Sequence, residues 1–209
     1  MIGAGIVGAA IAYELAKRGV AVTLLEKAKA AAGATGDSFA YLNASTKTGS
    51  RPYFQLNWLG MAGWRIWQRE PGAAPPLQWG GAPYWRDSEA ESAKLGESLR
   101  IVQQWGYAGR RLDAPGLQAL LPGLAIGLVS AAAFFPEEGA VDPAGAVAAL
   151  IERAGKLRTK LRAPVAVHSL IVRGGKAVGV RTAGGAVGAG TRGFGARPGR
   201  GGPGGQGRG

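Results

Sequence analysis

The feature that most narrows what this chain can fold into lies at its start. Gly3-Ala4-Gly5-Ile6-Val7-Gly8 carries glycine at its first, third and sixth positions. Val7, Ile11 and Leu15 then recur at i, i+4, i+8, which predicts a helix with one apolar stripe. Gly19 stands where such a helix stops, and residues 20–25 form a short β-rich run that ends on Glu26. Turn, helix, strand and acid in this order are the core of a dinucleotide-binding βαβ unit. Each glycine has a physical task there. The first permits the tight turn, the second lets the backbone approach a pyrophosphate, and the third lets helix and strand pack closely. The helix N-terminus offers free N–H groups and positive dipole to phosphates. Glu26 is placed to accept hydrogen bonds from ribose hydroxyls, and it would repel a 2′-phosphate, which argues against NADP. A strand of about five residues should precede the turn. Only Met1 and Ile2 stand there, so either the true start lies upstream, which is the favoured expectation, or this first strand is badly shortened.

Downstream, Gly33-Ala34-Thr35-Gly36 is a second glycine-rich loop. Phe54, Trp58 and Met61 predict a helix over 53–69, broken by Pro71 to Pro76. Residues 77–86 read as extended, 88–105 as a helix marked by Leu95, Leu99 and Val102, 112–124 as a short helix with turns, and 128–135 as a strand. Asp142-Pro143 is a helix start: Asp caps the free amides and Pro takes the first helical position. Val147, Leu150, Ile151 and Ala154 continue it as the apolar stripe. Residues 165–172 and 177–182 flank Gly174-Gly175 as a β-hairpin.

Charge divides the chain. Residues 1–152 balance, whereas residues 153–209 hold twelve basic side chains and no acidic one. The net charge of +12 therefore belongs to the last quarter. There is no Cys and one His, His168, which excludes disulfides and Cys-ligated or His-rich metal sites. His168 sits in an apolar alternating strand and reads as structural. No apolar run approaches the ~20 residues of a membrane span. Glu14, Lys17 and Arg18 interrupt the apolar start, and no basic segment precedes it, so no signal peptide is read and the expected compartment is cytoplasmic.

These stretches resemble the FAD-dependent oxidoreductases of the D-amino-acid oxidase type, which include glycine and sarcosine oxidases and D-amino-acid dehydrogenases. The resemblance rests on IGAGIVGAAIAYELAKRGVAVTLLEK, GATGDSFAYLNAS, FFPEEGAVDPAGAVAAL and the hairpin ending in GVRT, in that order, over residues 2–183. It implies an α/β fold: a Rossmann-like FAD-binding domain interrupted by an α+β substrate domain, here incomplete at both ends. Residues 1–45 would be the first FAD-binding segment, 46–140 a partial substrate domain, 141–183 the returning helix and hairpin, and 184–209 a disordered tail. It further implies that Gly3, Gly5, Ile6, Val7 and Gly8 hold the pyrophosphate of FAD. Glu26 with Lys27 would hold the adenosine ribose. Thr35, Gly36 and Ser38 would run beside the pyrophosphate toward the flavin, and Val165 would set its backbone against the adenine. The implied reaction oxidises the C–N bond of an amino acid or secondary amine by hydride transfer to the flavin, with oxygen or a quinone as electron acceptor. The flavin carries the chemistry, and no catalytic residue is named. An NAD-dependent Rossmann enzyme is the alternative, disfavoured by the second glycine loop and the hairpin.

The departures lie at the end. Half of the 26 residues from Gly184 onward are Gly, and no apolar strand follows the hairpin. This composition, encoded by GC-rich codons, fits a frameshift product and a truncated family member. It also resembles an arginine-glycine RNA-binding segment, but with Phe194 alone and no repeated Arg-Gly-Gly the plainer reading is a solvated tail, with no nucleic-acid partner. Trp58, Trp64 and Trp67 read as core, as do Trp79 and Trp85, which share parity in the extended segment. Arg51 and Arg65 could bind a substrate carboxylate, though solvated surface is the simpler reading. Glu137 and Glu138, adjacent in a turn, would point to opposite faces and are not assigned acid/base work.

Overall fold

The computed structural model describes residues 1–188 and Gly190. The RNA-binding and frameshift readings of the tail fall almost wholly outside the described residues. In chain order the elements begin with α1 (Ile6–Lys17), β1 (Val22–Leu25), β2 (Tyr41–Leu42), α2 (Arg51–Arg69), β3 (Leu77–Trp79), β4 (Ala82–Arg86), α3 (Glu89–Gln104) and β5 (Arg110–Leu112). They continue with α4 (Ala114–Leu120), β6 (Ala131–Phe135), β7 (Gly139–Val141), α5 (Pro143–Leu157), β8 (Thr159–Arg162), β9 (Val167–Arg173), β10 (Lys176–Thr182) and β11 (Gly185–Gly188). The chain divides into two units. The first holds Met1–Ala40, Glu70–Pro76 and the chain from Asp142 on; the second holds Tyr41–Arg69 and Leu77–Val141. The chain thus changes unit at 40/41, five residues before the boundary read from sequence, and again at 69/70, 76/77 and 141/142.

In the first unit β1 pairs in parallel with β8, from Val22 opposite Thr159 to Leu25 opposite Arg162, and Ile2 forms a single parallel bridge to Leu25. Ala4, Ala12, Val22 and Leu24 make a core against which Leu15 and Ile151 pack. Helix α1 corrects the expected stripe. Its buried residues are Gly8, Ala9, Ala12, Tyr13 and Ala16, while Val7 and Ile11 are 54% and 40% exposed. The helix packs on α5 and β1 through its small residues, because these let backbones approach closely. Gly19 follows it at φ +78, as a left-handed stop requires. At α5, Asp142 Oδ1 and Oδ2 accept from the N–H groups of Ala144 and Gly145, both at 3.1 Å, with Pro143 behind the cap. Strands β9 and β10 turn at Gly174 and Gly175, φ +55 and +71, the geometry that a two-residue hairpin needs. His168 is exposed on β9, not buried in it, so it serves no core. Two strands of this unit have no counterpart in the sequence expectations. β8 is charged and lacks apolar alternation, and β11 lies in the segment read as disordered, where it pairs with β10 through its backbone.

The second unit has two antiparallel sheets, β2-β7-β3 and β4-β6-β5. The extended stretch 77–86 therefore splits at Gly80-Gly81 between different sheets, and the parity of Trp79 and Trp85 has no shared face to act on. Gly81, at φ +79, lies against Phe134, where a Cβ would clash. The core joins Phe54 and Met61 of α2 to Leu95, Leu99 and Val102 of α3, with Tyr107, Ala133 and Phe135. Phe54 meets Trp58, Trp105 and Tyr107 at ring separations of 5.7, 5.0 and 5.5 Å. Arg65 is partly buried rather than free surface: its guanidinium lies 3.9 Å from the Trp79 ring and donates to the Glu137 carbonyl. Arg51 is exposed at the start of α2.

Candidate cofactor site

The site lies within the first unit, where β1 ends and α1 begins. Gly3 adopts φ +90, a conformation that favours glycine, and its N–H donates to the Leu25 carbonyl at 2.8 Å. The turn is thereby fastened to the strand beside it. Gly5 is the N-cap of α1 and supplies no side chain, so the amides of the first turn are met from elsewhere. That of Ile6 donates to Thr35 Oγ1 at 3.0 Å. A Cβ on Gly5 would stand 3.0 Å from the same oxygen, so glycine here makes room for the second loop.

Glu26 is a clamp. One carboxylate oxygen accepts from the Ala4 N–H at 2.8 Å and the other from the Ala28 N–H at 2.9 Å. Each oxygen keeps a further lone pair for a ribose hydroxyl. The Glu26 carbonyl accepts from the Val165 N–H at 2.6 Å, which brings the residue expected beside an adenine to the end of β1. Val165 lies just before β9 rather than in the hairpin proper. The second loop is tied back by the Ala31 N–H to the Ala4 carbonyl at 3.0 Å. Within it Gly36 packs so closely that a Cβ would stand 2.5 Å from the Ala31 carbonyl oxygen, and Ser38 Oγ donates to the Thr35 carbonyl. Lys27 and Ser38 are exposed.

The structure thus gathers Gly3, Gly5, Ile6, Glu26, Thr35 and Val165 into one network, with Val7 and Gly8 in the first turn of α1. Sequence reading missed the amides of Ala4, Ala28 and Ala31 that complete it. Backbone groups carry no side-chain signature, so no motif could have shown them. Among the described residues no group of His, Cys, Asp and Glu is arranged to hold a metal, and no helix is long and apolar enough to cross a membrane.

The chain is 28% identical over 185 residues to 4-methylaminobutanoate oxidase (formaldehyde-forming) of Paenarthrobacter nicotinovorans, covering 87% of this chain and 22% of that one. Its fold superposes on L-proline dehydrogenase from P. horikoshii with a TM-score of 0.81 at 24% identity, over 90% of this chain and 49% of that structure. Glycine oxidase from Geobacillus kaustophilus gives 0.79 at 25% identity, over 90% and 52%. The chain therefore spans about half the length of these solved structures and less of the curated relative. The α/β fold read from the sequence is the fold of these enzymes, and the profile of FAD dependent oxidoreductases matches residues 1–194. This chain belongs to the FAD dependent oxidoreductase family.

Proposed function

We propose that this chain carries the adenosine-and-pyrophosphate side of the FAD site of an oxidoreductase that oxidises the C–N bond of an amino acid or secondary amine. The observation that carries the reading is the convergence of the α1 N-terminus, whose N-cap Gly5 has no side chain, the Glu26 clamp and Thr35 around one turn. Gly3, Gly5, Ile6, Val7 and Gly8 would form the turn and helix start that take the pyrophosphate, with the helix dipole favouring its negative charge. Glu26, with Lys27 beside it, would take the ribose; Thr35, Gly36 and Ser38 would line the path from pyrophosphate to flavin, and Val165 would face the adenine. The flavin, when bound, accepts the hydride; the protein's part here is to bind and orient it. Relatives named for a secondary amine and for glycine support that substrate class. In this reading the first unit is the FAD-binding part and the second belongs to the substrate side. The electron acceptor, oxygen or a quinone, and a cytoplasmic location belong to the same proposal and are read by oxygen consumption and by fractionation of the native host.

The test is the visible absorbance of the purified chain after addition of FAD, with the released cofactor identified by mass. Bound FAD in the wild type and none in Gly5→Ala is the expected pair of results. Equal binding by both chains would sink the assignment of the turn, and no binding by the wild type would sink the proposal for this chain.

A further inference from the structure

Wholly inside the second unit, helix α3 and strand β5 border an open groove of about 420 Å³ and a narrower cavity of about 120 Å³. The two share four lining residues: Ser92, Gly96 and Leu99 of α3 and Arg111 of β5. Leu95, Leu112 and three consecutive alanines, Ala131 to Ala133, make the rest of the cavity apolar, with Ser130 at its side.

Most polar side chains on these walls are already committed. Arg100 donates twice to the Glu97 carboxylate, at 2.8 and 2.6 Å. Gln103 Nε2 donates to the Gly109 carbonyl and Ser130 Oγ to the Asp87 carbonyl, both at 2.9 Å. Two side chains are not committed. Ser92 Oγ is buried and has no hydrogen-bond partner among the described residues, although the Ser92 amide donates to the Ser88 carbonyl at 3.0 Å. Arg111 makes no ion pair or side-chain hydrogen bond among the described residues. A buried hydroxyl without a partner destabilises a fold, and natural structures hold few of them.

Gly96 shows how the guanidinium comes to lie here. Glycine inside a helix weakens it, yet a Cβ at this position would stand 3.1 Å from a guanidinium nitrogen of Arg111. The missing side chain leaves room for Arg111 against α3, one helical turn from Ser92. The backbone of Arg111 is fixed in turn by its register with Ala133 of β6.

The charges of Glu97 and Arg100 cancel, so Arg111 leaves the groove with one positive charge. Its planar fork of donors matches a carboxylate, which accepts two parallel hydrogen bonds. The adjoining Leu and Ala walls suit hydrocarbon. We propose that the groove binds a short-chain aliphatic carboxylate, with the carboxylate on Arg111 and Ser92 Oγ and the chain against Leu95, Leu99 and Ala132. The proposal does not rest on the flavin reading.

Isothermal titration of the full chain with sodium butyrate, butyramide and inorganic phosphate tests it. Butyrate should bind, and uncharged butyramide should bind at least about tenfold more weakly, the loss expected without a charge-assisted hydrogen bond. Arg111→Gln should weaken butyrate by a similar factor. Ser92→Ala should weaken it about threefold, without lowering the melting temperature of the free chain, because no partner is lost. No binding of butyrate by the wild type overturns the proposal, as does unchanged binding by Arg111→Gln. Equal binding of butyramide removes the role of the guanidinium, and tighter binding of phosphate than of butyrate overturns the carboxylate class. If a melt shows Arg111→Gln to be unfolded, Gly96→Leu decides: it fills the groove from the helix, and retained butyrate binding would overturn the site. Titration without FAD keeps this result separate from the cofactor reading.

Discussion

Two carboxylates fasten the chain near the places where it changes unit, and they do so by opposite chemistry. Glu70 opens the short return of the chain to the first unit. It takes the Tyr13 hydroxyl at 2.6 Å and the Lys17 ammonium, with Arg153 at 3.9 Å, and Arg153 also donates to the Glu70 carbonyl. Glu138 in the second unit takes two amides and three phenols and no cation. The side chain of Glu70 keeps 19% exposure, whereas Glu138 has none. The Lys17 pair stands near water, where it forms at little desolvation cost but also contributes little, while the buried Arg153 is met by the Glu70 carbonyl as well. In the core a charged partner would itself have to be desolvated, and neutral donors held by the fold avoid that second cost.

The largest test of this contrast is truncation. Glu138→Ala leaves five donors facing a void, and the expected loss is about 3 kcal/mol or more, since each unsatisfied buried donor costs roughly 1–3 kcal/mol. Glu70→Ala should cost less, about 1–2 kcal/mol, because Lys17 is partly exposed and Arg153 keeps the carbonyl of residue 70. Thermal melts of both variants check it, and equal losses would erase the distinction. All six tryptophans fall in the second unit, so their fluorescence reports that unit separately.

Solution pH should separate the units next. Burial, with the Glu138 charge beside it, pushes the Tyr84 hydroxyl up to about 12. Tyr41 is raised by burial, then by the neighbouring Tyr84 hydroxyl and the Glu138 charge; Tyr107 is raised by burial and the Glu138 charge. A folded value above the unfolded phenol value of about 10 gives stability that is full below pH ~10 and is lost as pH rises through the folded value. For Glu70, burial pushes upward but the hydrogen bonds from Lys17 and Tyr13 together outweigh it, so its carboxyl is held below the ordinary value. Its contribution is present above the usual carboxylate range and is lost as pH falls through the lowered value. Alkali should therefore shift the tryptophan emission, and acid should first release exchange protection around α1. The reverse order would contradict the assignment of donors.

The smallest effect is salt. Lys17→Ala should cost roughly 0.5 kcal/mol at low ionic strength, with the difference fading in high salt. Tyr84→Phe should cost the same at any salt concentration, because no ion pair is involved. Melting the two variants across a salt series distinguishes them.

Legibility followed the type of signal. The turn at Gly3, the stop at Gly19, the Asp142-Pro143 cap and the hairpin at Gly174-Gly175 were readable because local backbone chemistry alone dictates them. Leu95, Leu99 and Val102 were readable because the period of α3 matches its buried face. Helix α1 was misread because a hydropathy pattern favours Val7 and Ile11, while close packing favours the glycine and alanines between them. Glu138 has no role legible in sequence because adjacent acids point to opposite faces, which speaks against a working pair, and nothing near it announces the three phenols, 31 to 97 residues away, that donate to it.

By itself the sequence determined the dinucleotide turn, the acid at the end of β1, most of the elements and the family, since each is written in residues close together along the chain. Only the tertiary structure decided which face of α1 is buried, that charged β8 lies beside β1, that Thr35 reaches the Ile6 amide, and that Glu138 is the buried acceptor of its unit. These depend on contacts between distant segments, where packing distance and the need to satisfy every buried polar group outrank local pattern.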